Sequence, residues 1–350
     1  APQVLRLARG HAPLVLRMEL PAVPARAGGA AAMAVGAQQK NALALFDGER
    51  AVVGPHVGDL ASTRAIDAMH AQAVDLPAFF QARPRRMVCD GHPDYASSVF
   101  AEEQGLPLAR VQHHLAHALS VMVEHGLQGP LLAVTWDGTG LGSDGCIWGG
   151  EFLLGSYAEV RRVGHLAPVQ LPGGDAAVRH PARIALAHLH AAGLPWDPSL
   201  PAVAAVAPTE RTLLTGMLRS GTGCVPTTSV GRLFDAVSAL LGICQQADYE
   251  AQAAIELEAV VGTPPALAGE IPDMTVTEAP DGLVIDPAGV LASLVRDVTT
   301  DVAPSVSAWR FHASLARGVR TVARHVRDTE GVQTIGLTGG VFQNAVMTPE

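Results

Sequence analysis

Two strand-to-glycine junctions constrain this chain most. The apolar run Leu131–Trp136 passes straight into Asp137-Gly138-Thr139-Gly140, and the run Gln333–Leu337 passes into Thr338-Gly339-Gly340. A short apolar run bounded by turn residues reads as a buried strand. Glycines after such a strand let backbone N–H groups approach a phosphate that side chains would block. One junction lies in each half of the chain, which is what a two-lobed nucleotide clamp needs.

The rest of the pattern agrees with an α/β class. Met33–Val35, Ala42–Phe46 and Arg50–Gly54 read as short strands, the last two joined by an Asp47-Gly48 hairpin turn. Leu60–Phe80, Tyr95–Gln104 and His114–Glu124 have helical spacing, and the strands Met87–Cys89 and Leu108–Gln112 separate them. Further strands are expected at Cys146–Leu154 and Glu159–Leu166, then a Gly-rich turn at Leu171–Asp175. Helices follow near 175–192, 207–219, 229–243 and 249–260, with a hairpin at 272–285 and helices near 287–300 and 306–328. Strands alternating with helices imply mixed sheets covered on both faces. The expected organisation is a tail and Pro/Gly/Ala-rich linker over 1–29, a first lobe over 30–170 and a second over 171–350.

Composition narrows the function. With 48% hydrophobic and 16% charged residues, the chain can bury a large core and is not broadly disordered. A formal net charge of −9, with no Lys/Arg block, argues against a nucleic-acid partner. No apolar run approaches the roughly 18 residues of a membrane span. Cys89, Cys146, Cys224 and Cys244 form no CxxC pair, so neither a zinc ribbon nor a disulfide framework is expected. Free thiols fit a reducing cytoplasm.

The densest chemistry is Gln112-His113-His114-Leu115-Ala116-His117. Spacing of four on a helix puts His113 and His117 on one face, able to share a divalent metal. The competing reading is a histidine-rich helix start. His114 points about 100° away and would face a substrate. Asp137 suits a metal, and Gly138, Thr139 and Gly140 suit a phosphate, although an ordinary turn has the same composition. Lys40, the only lysine, can meet a phosphate or carbamoyl oxygen, or simply be a solvated hairpin residue. Gly173, Gly174, Gly339 and Gly340 mark turns, Asp175 can accept from ribose hydroxyls, and Asn344 can face a purine. His92 reads as a turn residue.

In order along the chain, VGAQQKN (35–41), GPHVGDL (54–60), CDGHPDY (89–95), VQHHLAH (111–117), WDGTGLGSDGCIWGGEF (136–152), LPGGDAAVRHPAR (171–183), SVGRLFDAVSALLG (229–242), YEAQAAIELE (249–258) and LTGGVFQN (337–344) resemble one family. It is the C-terminal portion of HypF, the hydrogenase-maturation carbamoyltransferases. VLRLARGHAPLVL (4–16) resembles the end of that family's preceding YrdC-like domain. The resemblance implies a two-lobed ASKHA fold (actin, sugar kinase, Hsp70), in the version shared with tRNA threonylcarbamoyl transferases. It implies transfer of a carbamoyl group, made from carbamoyl phosphate and ATP as carbamoyl-adenylate, to the C-terminal cysteine of HypE. It assigns His113 and His117 to the metal (Zn or Fe, with Mg accompanying ATP), and Asp137 to a carboxylate beside it. It assigns Lys40 to the active-site hairpin, and Gly173, Gly174, Asp175, Gly339, Gly340 and Asn344 to nucleotide-contacting turns. Lys40, His114 and Asp137 are then the catalytic candidates, with Gly138, Thr139 and Gly140 at the nucleotide. Family members continue past the last motif to an Asn-Asp-Gly-Gly segment whose aspartate completes the metal site, so this sequence reads as a fragment. The alternatives are carbamoyl transfer to a small-molecule hydroxyl, a nucleotide-binding scaffold without turnover, and a sugar kinase, which needs no histidine pair.

Overall fold

A computed structural model describes residues 13–17, 31–47, 50–262 and 270–348. The linker expected over 21–29 and Gly48 of the expected hairpin turn lie outside the described residues. The chain divides into two compact units, residues 1–116 with 122–128, and residues 117–121 with 129–350.

The first unit runs β1 (Leu14–Arg17), β2 (Ala32–Ala34), β3 (Asn41–Phe46), β4 (Arg50–Gly58), α1 (Thr63–Phe79), β5 (Arg86–Asp90), α2 (Ala96–Glu103), β6 (Leu108–Val111) and α3 (His113–Glu124). Its sheet has the order β1-β4-β3-β2-β5-β6. The β1 to β4 segment pairs antiparallel, whereas β2, β5 and β6 are parallel neighbours. Period-two alternation works as expected in β3, where Leu43 and Leu45 are buried and their neighbours half-buried. Met69 and Leu76 of α1 complete this core with Met33, Val52 and Met87. Burying each such side chain contributes about 1.5–3 kcal/mol. Ser62 starts α1, its hydroxyl accepting the Ala65 N–H. Because β5 and β6 are parallel, Asp90 and the start of α3 emerge at the same sheet end, where ligand sites gather in α/β sheets.

The second unit runs β7 (Leu131–Leu141), β8 (Ile147–Gly155), β9 (Val160–Leu166), β10 (Val169–Pro172), a 3-10 turn (Gly174–Arg179), α4 (Pro181–Ala191), α5 (Pro201–Ala204), α6 (Pro208–Ser220), β11 (Cys224–Thr227), α7 (Val230–Leu240), α8 (Gln252–Val261), β12 (Thr275–Ala279), β13 (Gly282–Asp286), α9 (Ala288–Thr299), α10 (Pro304–Glu330), β14 (Ile335–Thr338) and a 3-10 turn (Gly340–Gln343). Its sheet has the order β10-β11-β8-β9-β13-β12, with β7 antiparallel on β8 and β14 parallel on β7. Helix α7 is buried on nearly every face, packed among Trp136, Phe152, Phe311 and Leu315.

Four readings of the sequence are corrected. Asp137-Gly138-Thr139-Gly140 is not a turn that ends a strand. β7 continues through it to Leu141, with a register shift between Trp136 and Gly140, and the turn comes at Gly142–Gly145. The expected helix over 175–192 is broken at His180, because Pro181 starts α4 afresh. β11 was not expected; it lies between β10 and β8, antiparallel to the first over four residues and joined to the second only through Thr227 and Ile147. The division of the chain falls near 117–128, ahead of the expected 170/171 boundary. Strands on both sides of residue 170 share one ladder, so no division is available there.

Candidate functional site

Helix α3 presents the histidines. Gln112 precedes it, and its Oε1 accepts the Leu115 N–H at 2.9 Å, satisfying a donor of the first turn. His113 and His117 follow one turn apart. His113 Nδ1–H donates to Asp90 Oδ2 at 3.0 Å. Asp90 also accepts the His92 N–H at 2.9 Å. Burial pushes the Asp90 carboxyl up, but the hydrogen bonds and nearby imidazoles outweigh it and hold the group below its ordinary range. His117 Nε2 lies 3.2 Å from Asp137 Oδ2, and its Nδ1 is 3.4 Å from Thr338 Oγ1.

One ligand atom each from His113, His117 and Asp137 falls within a span of 4.8 Å. Two imidazoles and a carboxylate suit zinc or ferrous iron by donor chemistry. The Asp90 contact is the outer partner that a metal-binding imidazole typically has, fixing its tautomer and ring orientation. The residues present therefore fit a divalent metal.

The Asp137 carboxylate is held by backbone. Its Oδ1 accepts from Gly138 N at 2.8 Å and Gly340 N at 3.3 Å. Ser229, the N-cap of α7, places its hydroxyl 2.9 Å from the Asp137 carbonyl and 2.6 Å from that of Gly138. Gly339 takes φ +101°, and a Cβ there would lie 2.1 Å from the Trp136 carbonyl oxygen. Glycine at 339 is thus required by the approach of the chain to β7.

Glu151 was not singled out from the sequence. It is fully buried on β8. Its Oε2 accepts from Gly149 N at 2.6 Å and Gly150 N at 2.7 Å, and its Oε1 pairs with Arg162 at 3.0 Å and accepts from the Thr228 hydroxyl. Thr228 adjoins Ser229, so this carboxylate braces the backbone behind Asp137. Burial pushes the Glu151 carboxyl up from 4.5 to about 7, against those hydrogen bonds and the Arg162 charge. A raised carboxyl favours the native state at low pH; that contribution is lost as pH rises from about 4.5 through about 7. Wild type should lose up to about 3 kcal/mol relative to Glu151→Gln across that window. Urea unfolding of both proteins at several pH values checks this, and parallel stability curves would refute it.

The remaining candidates are dispersed. Lys40, in the first unit, has φ +49°, and its N–H donates to Asp59 Oδ1 at 2.9 Å just before β3. His114, expected to face a substrate, is fully buried, with Nδ1 3.1 Å from Gln112 Nε2. Gly138, Thr139 and Gly140 form the irregular part of β7. Gly173 and Gly174 have φ +86° and +54°, and the Gly173 N–H donates to Gly223 O at the β10–β11 end. Asp175 lies in the following 3-10 turn. Asn344 caps the last 3-10 turn. Its Nδ2 donates to His312 Nε2 at 3.0 Å and its Oδ1 accepts from the Val346 and Met347 N–H groups, so its amide is used within the protein. His92 stacks on Tyr95 at 4.3 Å and accepts the Asp94 N–H. Asp90, Glu151 and Thr338 escaped the sequence reading. Asp90 and Thr338 end their strands and Glu151 lies within β8, and no spacing rule links them to the histidines.

Comparisons with known proteins give the same division of the chain. A family model described as the HypF Kae1-like domain matches residues 28–124, and one described as the carbamoyltransferase Kae1-like domain, second subdomain, matches 133–350. Carbamoyltransferase HypF of Rhizobium leguminosarum bv. viciae is 36% identical over 99% of this chain and 43% of that protein. The Rhodobacter capsulatus HypF is 37% identical over 98% of this chain and 45% of its own length. The chain therefore spans less than half the length of these relatives. A Cupriavidus necator HypF homolog, 33% identical, is matched over 95% of this chain and 86% of its own length. A crystal structure of full-length HypF in phosphate- and nucleotide-bound form superposes with a TM-score of 0.88 at 30% identity, over 97% of this chain and 52% of that one. T. kodakarensis HypF gives 0.85 at 26% identity, over 99% and 45%. These matches extend the ASKHA-type, Kae1-like architecture across both units, and the chain belongs to the HypF carbamoyltransferase family.

Proposed function

We propose that this chain carries the carbamoyl-transfer step of [NiFe]-hydrogenase maturation, moving carbamoyl from carbamoyl-adenylate to the C-terminal cysteine of HypE. The observation that carries the reading is the His113, His117 and Asp137 group, in a chain of the HypF family. The carbamoyl-adenylate is made from carbamoyl phosphate and ATP with Mg, and the reaction belongs in the cytoplasm, where four free cysteines fit. No helix among the described residues is long and apolar enough to cross a membrane.

His113, His117 and Asp137 would hold a divalent metal, zinc or iron. When bound, it supplies Lewis acidity toward a carbamoyl or phosphoryl oxygen. Asp90 keeps the His113 ring oriented, and Gly340 N–H and Ser229 keep Asp137 in place. Gly138, Thr139, Gly140, Gly173, Gly174, Asp175, Gly339 and Gly340 are the candidate nucleotide contacts of the second unit, and Lys40 is the first unit's candidate for a charged substrate oxygen. In the transfer the acceptor sulfur bonds to the carbamoyl carbon, the carbon–oxygen bond to phosphate breaks, and AMP leaves as the thiol gives up its proton. His114 and Asn344 act on this step through the groups they hold, Gln112 and the Val346–Met347 turn.

The test is transfer from preformed carbamoyl-adenylate to a peptide ending in the acceptor cysteine, read by peptide mass and AMP release. Wild type should transfer, and His117→Ala should fall by roughly 100-fold or more. Wild type without transfer would overturn the activity, and undiminished transfer by His117→Ala would overturn the role of the histidines. Adenosine-nucleotide binding without transfer would favour a scaffold.

A further inference from the structure

The two histidines of the candidate metal group are held from behind by different chemistry. His113 Nδ1 lies 3.0 Å from Asp90 Oδ2. Asp90 is buried, and its hydrogen bonds and the nearby imidazoles keep its carboxyl below the ordinary range, so it stays ionised. An ionised carboxylate only accepts hydrogen bonds. The neutral His113 ring is therefore fixed with its hydrogen at Nδ1 and a lone pair at Nε2.

His117 meets a hydroxyl instead. Its Nδ1 is 3.4 Å from Thr338 Oγ1, at the end of β14, and its Nε2 is 3.2 Å from Asp137 Oδ2. The carboxylate draws the ring hydrogen to Nε2, which leaves a lone pair at Nδ1. Ligation requires the reverse. When Nε2 gives its lone pair to a metal, the hydrogen has to sit at Nδ1. A hydroxyl has one hydrogen to donate and lone pairs to accept with, and it turns about its C–O bond to suit either ring. An apolar side chain in that place would serve neither form, and a carboxylate would serve only the second.

We propose that Thr338 is a positioning residue for metal capture: its hydroxyl donates to His117 Nδ1 before a metal binds and accepts from Nδ1–H once Nε2 is a ligand. The assignment rests on the metal reading above and divides the work of its two histidines. Asp90 sets His113 in advance, whereas His117 changes form as it ligates. One proton leaves Nε2 and one arrives at Nδ1, both by exchange with water, which reaches a side chain that is 29% exposed. The ring's proton count is unchanged, and Thr338 keeps its own hydrogen. The end of β14 serves Asp137 as well, because Gly340 N–H donates to Asp137 Oδ1 at 3.3 Å. One strand end thus steers two of the three candidate ligands.

Nitrogen NMR of the histidine rings, with Zn2+ titration of the full chain, reads the result without turnover. At about pH 8 an ordinary imidazole is neutral. Before Zn2+ is added, His113 should carry its hydrogen at Nδ1 and His117 at Nε2; with Zn2+, the His117 hydrogen should appear at Nδ1. Thr338→Val keeps the branched shape that suits a strand and removes the hydroxyl. It should bind Zn2+ roughly 10-fold more weakly, and Thr338→Ser, which keeps a hydroxyl, should recover most of that loss. If Thr338→Val fails to fold, the ring forms in wild type and the Zn2+ affinity of Thr338→Ser carry the test. Zn2+ affinity unchanged in Thr338→Val overturns the role of Thr338 while the metal reading stands. Equal losses in the valine and serine variants overturn it too, since they mark packing and not the hydroxyl. A His117 hydrogen at Nδ1 before Zn2+ is added overturns the reversal. Wild type that binds no Zn2+ defeats the metal reading itself, and the capture role with it.

Discussion

His117→Ala should bind Zn2+ or Co2+ roughly 100- to 1000-fold more weakly than wild type. Structural zinc sites reach about 10–16 kcal/mol from about four ligands, so one ligand accounts for about 2.5–4 kcal/mol. His117 Nε2 stands 3.2 Å from the Asp137 carboxylate, so its loss removes an imidazole from the centre of the group. Asp90→Asn should lose less, roughly 10- to 100-fold, because Asp90 touches His113 and not the metal position. Its loss would act by freeing the ring to rotate. Metal titration followed by competition with a chelator gives both constants. Equal losses, or no loss at His117, would remove the site from this group of residues.

The second large effect is on stability. Gly339→Ala should lower the unfolding free energy by about 3–5 kcal/mol. Two separate costs add. Alanine resists φ +101°, and its Cβ would sit 2.1 Å from the Trp136 carbonyl oxygen and 2.7 Å from its carbon. Those atoms belong to the backbone of β7, which is fixed in its ladder with β8 and β14, so no side chain can swing away. Chemical denaturation measures the loss. A variant as stable as wild type would mean that β14 and β7 do not approach as described. Metal affinity should fall with stability here, since Gly340 N–H is one of the groups that hold Asp137.

Much of this protein is legible in its sequence. The strand-helix order gave an α/β fold, because hydrophobic period is a local property of the chain. The spacing of His113 and His117 gave their shared helix face, because 3.6 residues per turn is equally local. The ordered motifs pointed to the HypF family, which the family models and relatives establish. What sequence left open were the partners of each polar group. Asp90 reaches His113 because β5 ends where α3 begins, and Thr338 reaches His117 because β14 pairs with β7. Pairing register between segments far apart in the chain sets such contacts, and no periodicity encodes it. The Asp137–Gly140 stretch illustrates the limit. Its composition suits a phosphate turn and a bulged strand alike, and only the ladder with β8 distinguished them. Its two glycine junctions were read as one device, yet they differ. Gly339 is glycine because backbone presses against it, whereas Gly138 faces open space above a buried arginine. Sequence determined where the glycines stand, and tertiary packing decided what each one makes room for.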